Sequence, residues 1–155
     1  MKTFTLEEAR TLLPVLEGLL RRASEAKKVA EKAEEYLQEL NRRIFLVGGM
    51  MVDVATAARQ RAERTHGIQQ AKDAVEEILS IGVQVKDLET GLLDFPFKLE
   101  GEVVLLCWKM GETDIAWWHG VEDGFRGRQP VDDRFWREPD RRKKGDSTPE
   151  SGKPN

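Results

Sequence analysis

Apolar residues recur every seven positions through the first third of the chain. Ala9, Leu16, Ala23, Ala30, Leu37 and Ile44 form one series. Leu12, Leu19, Ala26, Ala33, Leu40 and Val47 form a second, three residues later. Two series in this relation predict a long helix packed on another helix in coiled-coil fashion. Thr5 is a good N-cap, Glu8 three residues on makes a capping box, and Phe4 with Ala9 suits the hydrophobic staple. From Thr5 to about Leu46 such a helix spans roughly 60 Å. Pro14 lacks a backbone donor and crowds the preceding turn, which predicts a kink or short break near Leu13. Alanines in the middle of the seam predict a close helix–helix approach.

Gly48 and Gly49 end this helix and start a turn. A second helix is predicted from about Met51 to Ile81. Its packed face is approximated by Ala55, Ala58, Ala62, Ile68, Ala71, Val75 and Ile78. Gly67 reads as a soft spot, worth up to about 1 kcal/mol relative to alanine. The two helices form an antiparallel hairpin. Its tip, residues 44–52 (IFLVGGMMV), is strongly apolar. Two readings stand for it: contact with a second subunit, or local closure of the hairpin core.

After Gly82 the pattern changes to short apolar runs split by turns that each contain a glycine. Residues 83–86, 92–97, 103–109 and 114–119 read as four strands of an antiparallel meander. The run Val103-Val104-Leu105-Leu106 is apolar on both faces, so its strand should be central and covered twice. One cover is the hairpin; the other is the segment 125–131 or a partner subunit. Pro96 places its strand at an edge or bends it. Beyond Trp136 the chain is charged, rich in Pro, Gly and Ser, and without apolar period, which predicts disorder. The fold class is therefore α+β. A long, coiled-coil-like antiparallel α-helical hairpin (4–81) precedes a small antiparallel β-meander (82–131). Both lie in one domain, 1–136, followed by a disordered charged tail, 137–155.

Composition narrows the function classes. A single cysteine among 155 residues forms no internal disulfide, so a reducing compartment is the default. The first residues, MKTFTLEEAR, lack the apolar core of a signal peptide. No run approaches the roughly 18 apolar residues of a membrane span. A cytoplasmic location is expected, with no membrane partner. Charge is uneven: residues 1–81 balance, whereas 82–136 carry 6 basic against 11 acidic groups, a net of −5. An acidic module repels a phosphate backbone and attracts cations, which disfavours nucleic acid as a partner. The basic run Arg141, Arg142, Lys143 and Lys144 in the tail reads as a solvated segment, with RNA or an acidic protein as its other reading.

Three long runs are unusual: GVQVKDLETGLLDFP, LCWKMGE and WWHGVEDGFRGRQP. Together with the opening FTLEEARTLLP, they resemble the bacterial family catalogued as domain of unknown function 2203. The resemblance covers about residues 4–131. It implies a small bacterial protein with no established activity, so no catalytic residue is carried across.

The residues that can carry chemistry lie in the acidic module. Asp87, Asp94, Glu112, His119, Arg126 and Arg128 are the ligand-binding candidates. Asp94, Glu112 and His119 form the candidate metal set, because carboxylates plus imidazole suit a divalent metal. Their spacing matches no known metal motif. Each also has a structural reading. Asp87 and Asp94 flank a glycine-containing turn, where Asp bonds backbone. Glu112 adjoins Gly111 in a hairpin. His119 can cap a strand. Arg126 and Arg128 can clamp an anion or pair with the module's own acids. Cys107 is a more doubtful member of the metal set and reads more readily as a small apolar filler.

Whether Cys107 joins His119 depends on register. A hairpin centred between Gly111 and Glu112 sets His119 across from Val104 and turns Cys107 to the opposite face. A slip of one residue brings the two together. Both registers remain open at this level. Trp117 and Trp118 must face opposite sides in either.

Two functions are weighed. The first is a non-enzymatic assembly or adaptor protein whose hairpin self-associates, as a homodimer or with another protein, without a cofactor. The second is a divalent-metal or small-anion site in the acidic module.

Overall fold

The structure is a computed structural model that describes residues 1–48 and 53–136. Helix α1 runs Leu6–Val47. The Thr5 hydroxyl accepts from the Glu8 N–H at 3.1 Å, which satisfies one donor of the first turn. At the other end Gly48 takes φ 74° and donates its N–H to the Ile44 carbonyl. The predicted break at Pro14 is absent: the helix is continuous through it. Pro14 sits on the exposed side, while Leu12, Leu13 and Leu16 keep their packing in the core. The single lost backbone bond therefore faces water, and burial on the other side holds the turn together.

Helix α2 runs Val54–Ile81. Asp53 caps it, accepting from the N–H groups of Ala55 and Thr56 and from the Thr56 hydroxyl. Its packed face differs from the apolar count. Ala55, Ala58 and Ala62 are exposed, and Ile68 retains 44% of its surface. The buried residues are Ala57, Gly67, Ala74 and Ile78. The seam thus follows Ala57, Gln60, Arg64, Gly67, Ala71, Ala74, Ile78 and Ile81, at strict three-four spacing. Gly67 is a contact point, not a weak point. A Cβ there would stand 2.7 Å from the Ala26 carbonyl oxygen and 3.1 Å from the Ala30 Cβ. Close approach at Ala26, Ala30 and Gly67 rotates the helix. Gln60 and Arg64 thereby come into the seam half-buried, and Arg64 reaches Glu34 at 2.7 Å.

Near the tip, Phe45, Leu46, Val47 and Val54 are 85%, 72%, 69% and 76% exposed, so these flanking residues do not close the hairpin core. Tip residues 49–52 and the tail 137–155, with its basic run, lie outside the described residues.

Among the described residues the sheet has five strands in simple sequence order, all antiparallel: β1 Gln84–Asp87, β2 Leu92–Leu99, β3 Glu102–Lys109, β4 Trp117–His119 and β5 Gln129–Pro130. The four expected strands are present, the fourth shorter at its start. β5 is an addition too short to leave a period-two signal. β3 is central, as its two-faced apolarity requires. Beyond the last β1 pair, Gln84 with Asp94, β2 has a free flank. There the Phe4 N–H donates to the Pro96 carbonyl at 2.8 Å. A strand residue's N and C=O point the same way, so the missing Pro96 donor faces this flank and breaks no bond to β3.

One sheet face packs on the hairpin. Leu93, Phe95, Phe97 and Leu99 of β2 join Val104, Leu106 and Trp108 of β3 against Leu16, Leu20 and Ile78. The opposite face carries Asp94, Leu105, Cys107 and His119, all buried. Trp118 packs toward the core and Trp117 away from it, which fits strand alternation.

Candidate metal centre on the outer face of the sheet

Three strands bring three donors together. Asp94 on β2 pairs with Cys107 on β3. On β4, His119 pairs with Leu105 and Trp117 with Cys107. This is the one-residue slip that puts Cys107 and His119 on the same face. The turn accounts for it: the Trp108 indole N–H donates to the Glu112 carbonyl, and the Lys109 N–H to the Glu112 carboxylate, so the connection folds around Glu112. Asp94 is in mid-strand, not in a turn.

The donor atoms of Asp94, Cys107 and His119 all lie within 4.8 Å of one another. His119 reaches across β3, and its Nε2 stands 3.1 Å from both carboxylate oxygens of Asp94. Its Nδ1–H donates to the Gly120 carbonyl at 2.8 Å, since a carbonyl only accepts. That bond spends one ring nitrogen on the backbone and aims the other into the cluster, as a second-shell carbonyl does for a metal-bound histidine. The free Nε2 faces the Asp94 carboxylate across the cluster. Asp94 and Cys107 are each 1% exposed and His119 4%.

The chemistry of the set fits a borderline divalent cation. Tetrahedral bonds of about 2.0–2.3 Å place neighbouring ligands roughly 3.3–3.8 Å apart; the 3.1 Å between His119 Nε2 and the Asp94 carboxylate is near that range, and the whole set lies within 4.8 Å. Nitrogen, sulfur and oxygen donors in one site suit zinc better than calcium or magnesium. The same burial disables the thiol as a free nucleophile. Desolvation, then the charge of Asp94, pushes Cys107 up from 9.0 to about 12; Arg128 pulls the other way, and an Asp94 hydrogen bond and Glu112 add to the rise.

A pH dependence follows. The unfolded thiol ionises near 9.0, while the folded one holds its proton until about 12. Between these values the unfolded chain has lost a proton that the folded chain keeps. Stability should be unaffected by this group below pH 9 and fall as pH rises toward 12. Urea unfolding at about pH 8 and about pH 10.5 should show a smaller loss in Cys107→Ala than in the parent protein. Equal losses in both would refute it.

The remaining candidates sit elsewhere. Asp87 closes the β1–β2 turn, accepting from the Glu89 N–H and the Thr90 hydroxyl at 3.0 Å each. Glu112 is outside the cluster: its carboxylate accepts from Arg128 Nη2 at 2.7 and 3.0 Å. Arg126 is exposed in the short helical turn Phe125–Gly127. Cys107, the doubtful member, read more readily as filler, is in the cluster, because the register of the Glu112 turn is the slipped one.

Among the described residues no helix is long and apolar enough to cross a membrane. No curated protein and no solved structure matches the chain. The profile of an uncharacterized conserved protein family, DUF2203, matches residues 2–131, and the chain belongs to that family.

Proposed function

We propose that the protein binds a divalent metal of the zinc type through Asp94, Cys107 and His119. One observation carries this reading: three different donor types converge within 4.8 Å on a buried face, with the spare nitrogen of His119 already held by backbone. Three protein ligands leave a fourth position for water or another donor. A bound metal would displace the thiol proton of Cys107, since the thiolate is the ligand form. A metal that links β2, β3 and β4 makes the role one of binding, with no catalytic residue assigned. A free thiol in the set suits a reducing, cytoplasmic setting in a bacterial cell.

The test is elemental analysis of the full chain after zinc loading and gel filtration. One zinc per chain is expected, lost in His119→Ala and in Cys107→Ser. Loading below about one-tenth of a metal per chain, or equal loading in all three proteins, would sink the reading.

Self-association is the second reading, and the exposed Phe45, Leu46, Val47 and Val54 favour it. In that reading a homodimer joins hairpin to hairpin, or the tip meets a different protein, and the single domain 1–136 serves as an adaptor. Light scattering across a dilution series should show a dimer that Phe45→Ser with Leu46→Ser converts to monomer. A parent protein monomeric at every concentration removes it.

A further inference from the structure

The cluster is closed from solvent, so a metal needs a way in. The strap 120–128, which links β4 to β5, is attached at both ends to the site. At its start the Gly120 carbonyl holds His119 Nδ1. At its end Arg128 Nη2 reaches the Glu112 carboxylate and, at 3.4 Å, the carbonyl of Cys107 itself. The Arg128 guanidinium also lies 4.6 Å from the Phe125 ring centre and 5.2 Å from that of Trp117. Between its ends the strap folds on Asp123. Cβ atoms at Gly120 and Gly127 would stand 2.7 and 2.9 Å from the Asp123 side chain. It is thus a compact piece held by its own contacts.

We infer that the strap is the door of the metal centre and that the Arg128–Glu112 ion pair is its latch. This inference rests on the metal-binding reading for its purpose, but not for its test. The latch is suited to reversible opening. Its two side chains keep 15% and 24% of their surface, so water can take over their bonds when they part. Among the described residues Arg128 Nε is buried without a hydrogen-bond partner, a group that gains a bond to water when the strap lifts. Opening would break the pair, free the Cys107 carbonyl and, through Gly120, loosen the hold on His119. Arg128 therefore acts on the ligands through the strap; it is a positioning residue and not a ligand.

The experiment reads the accessibility of Cys107, the only thiol in the chain. The metal-free full-length protein is treated with a small uncharged aromatic disulfide, and the modification rate is followed optically. Glu112→Gln removes the latch charge, and Arg128→Lys keeps the positive charge but loses the fork and the ring stacking. Each should raise the rate about tenfold, because local opening becomes more populated. The rise should persist with little slope in sub-denaturing urea, which separates strap opening from global unfolding. Unchanged rates in both variants, or rates that climb with urea as steeply as global unfolding, overturn the inference. Zinc removal by a chelator, measured in parallel, should be faster in the same variants. If the parent protein takes up no zinc, the metal reading fails while the thiol rates still decide the latch.

Discussion

Asp94→Ala is expected to destabilise the protein by about 3–5 kcal/mol, measured by urea unfolding of the metal-free chain. The carboxylate is 1% exposed and is what His119 Nε2 points at from 3.1 Å. Removing it leaves a buried imidazole whose second nitrogen is already committed to the Gly120 carbonyl. The ring must then either carry an unpaired charge or leave its Nε2 without a partner, and a protein interior tolerates neither well. His119→Ala should cost a similar amount, since it strands the carboxylate. Replacing both at once, Asp94→Leu with His119→Phe, should cost much less than the two single changes combined, because no polar group is left stranded. All three should lose zinc loading. Single changes that each cost under about 1 kcal/mol would mean that the pair is wet in solution, and the candidate site with it.

Gly67→Ala should also destabilise, by about 1–3 kcal/mol, although alanine is normally the better helix residue by about 1 kcal/mol. The reason is the backbone. The added methyl would meet the Ala26 carbonyl oxygen at 2.7 Å, and a carbonyl within a helix cannot yield as a side chain can. The helices would have to separate at the point where Ala26 and Ala30 let them meet. Gly18→Ala is the internal control. Among the described residues nothing lies within 4 Å of a Cβ at Gly18, so the same substitution there should stabilise by up to about 1 kcal/mol. Thermal melts of the two variants should move in opposite directions. A stabilised Gly67→Ala would mean that the hairpin seam is looser than described.

The two substitutions also mark where reading the chain succeeds and where it stops. Helix α1 is legible from its heptads, because nearly every seam position is filled by Ala, Leu or Ile and the caps Thr5 and Gly48 are the residues those geometries favour. Helix α2 is legible as a helix but not in its rotation. Its seam includes Gln60, Arg64 and Gly67, which an apolar count excludes, while Ala55, Ala58 and Ala62 are apolar and exposed. A small residue is ambiguous in a sequence, since it can mark close contact or mere indifference. The strands and their turns are legible from glycine placement. Their register is not, since it depends on whether Glu112 lies beside the hairpin turn or at its centre.

The sequence by itself determined a helical hairpin followed by an antiparallel meander, and placed the acids and His119 in the second part. Those features follow from local period and local turn chemistry, which a linear chain records. Only the tertiary structure decided that Asp94, Cys107 and His119 form one cluster and that Glu112 serves Arg128 instead. Strand side chains alternate with a period of two, so a one-residue slip in β4 would have sent His119 to the helix side and left Cys107 as the filler it first resembled.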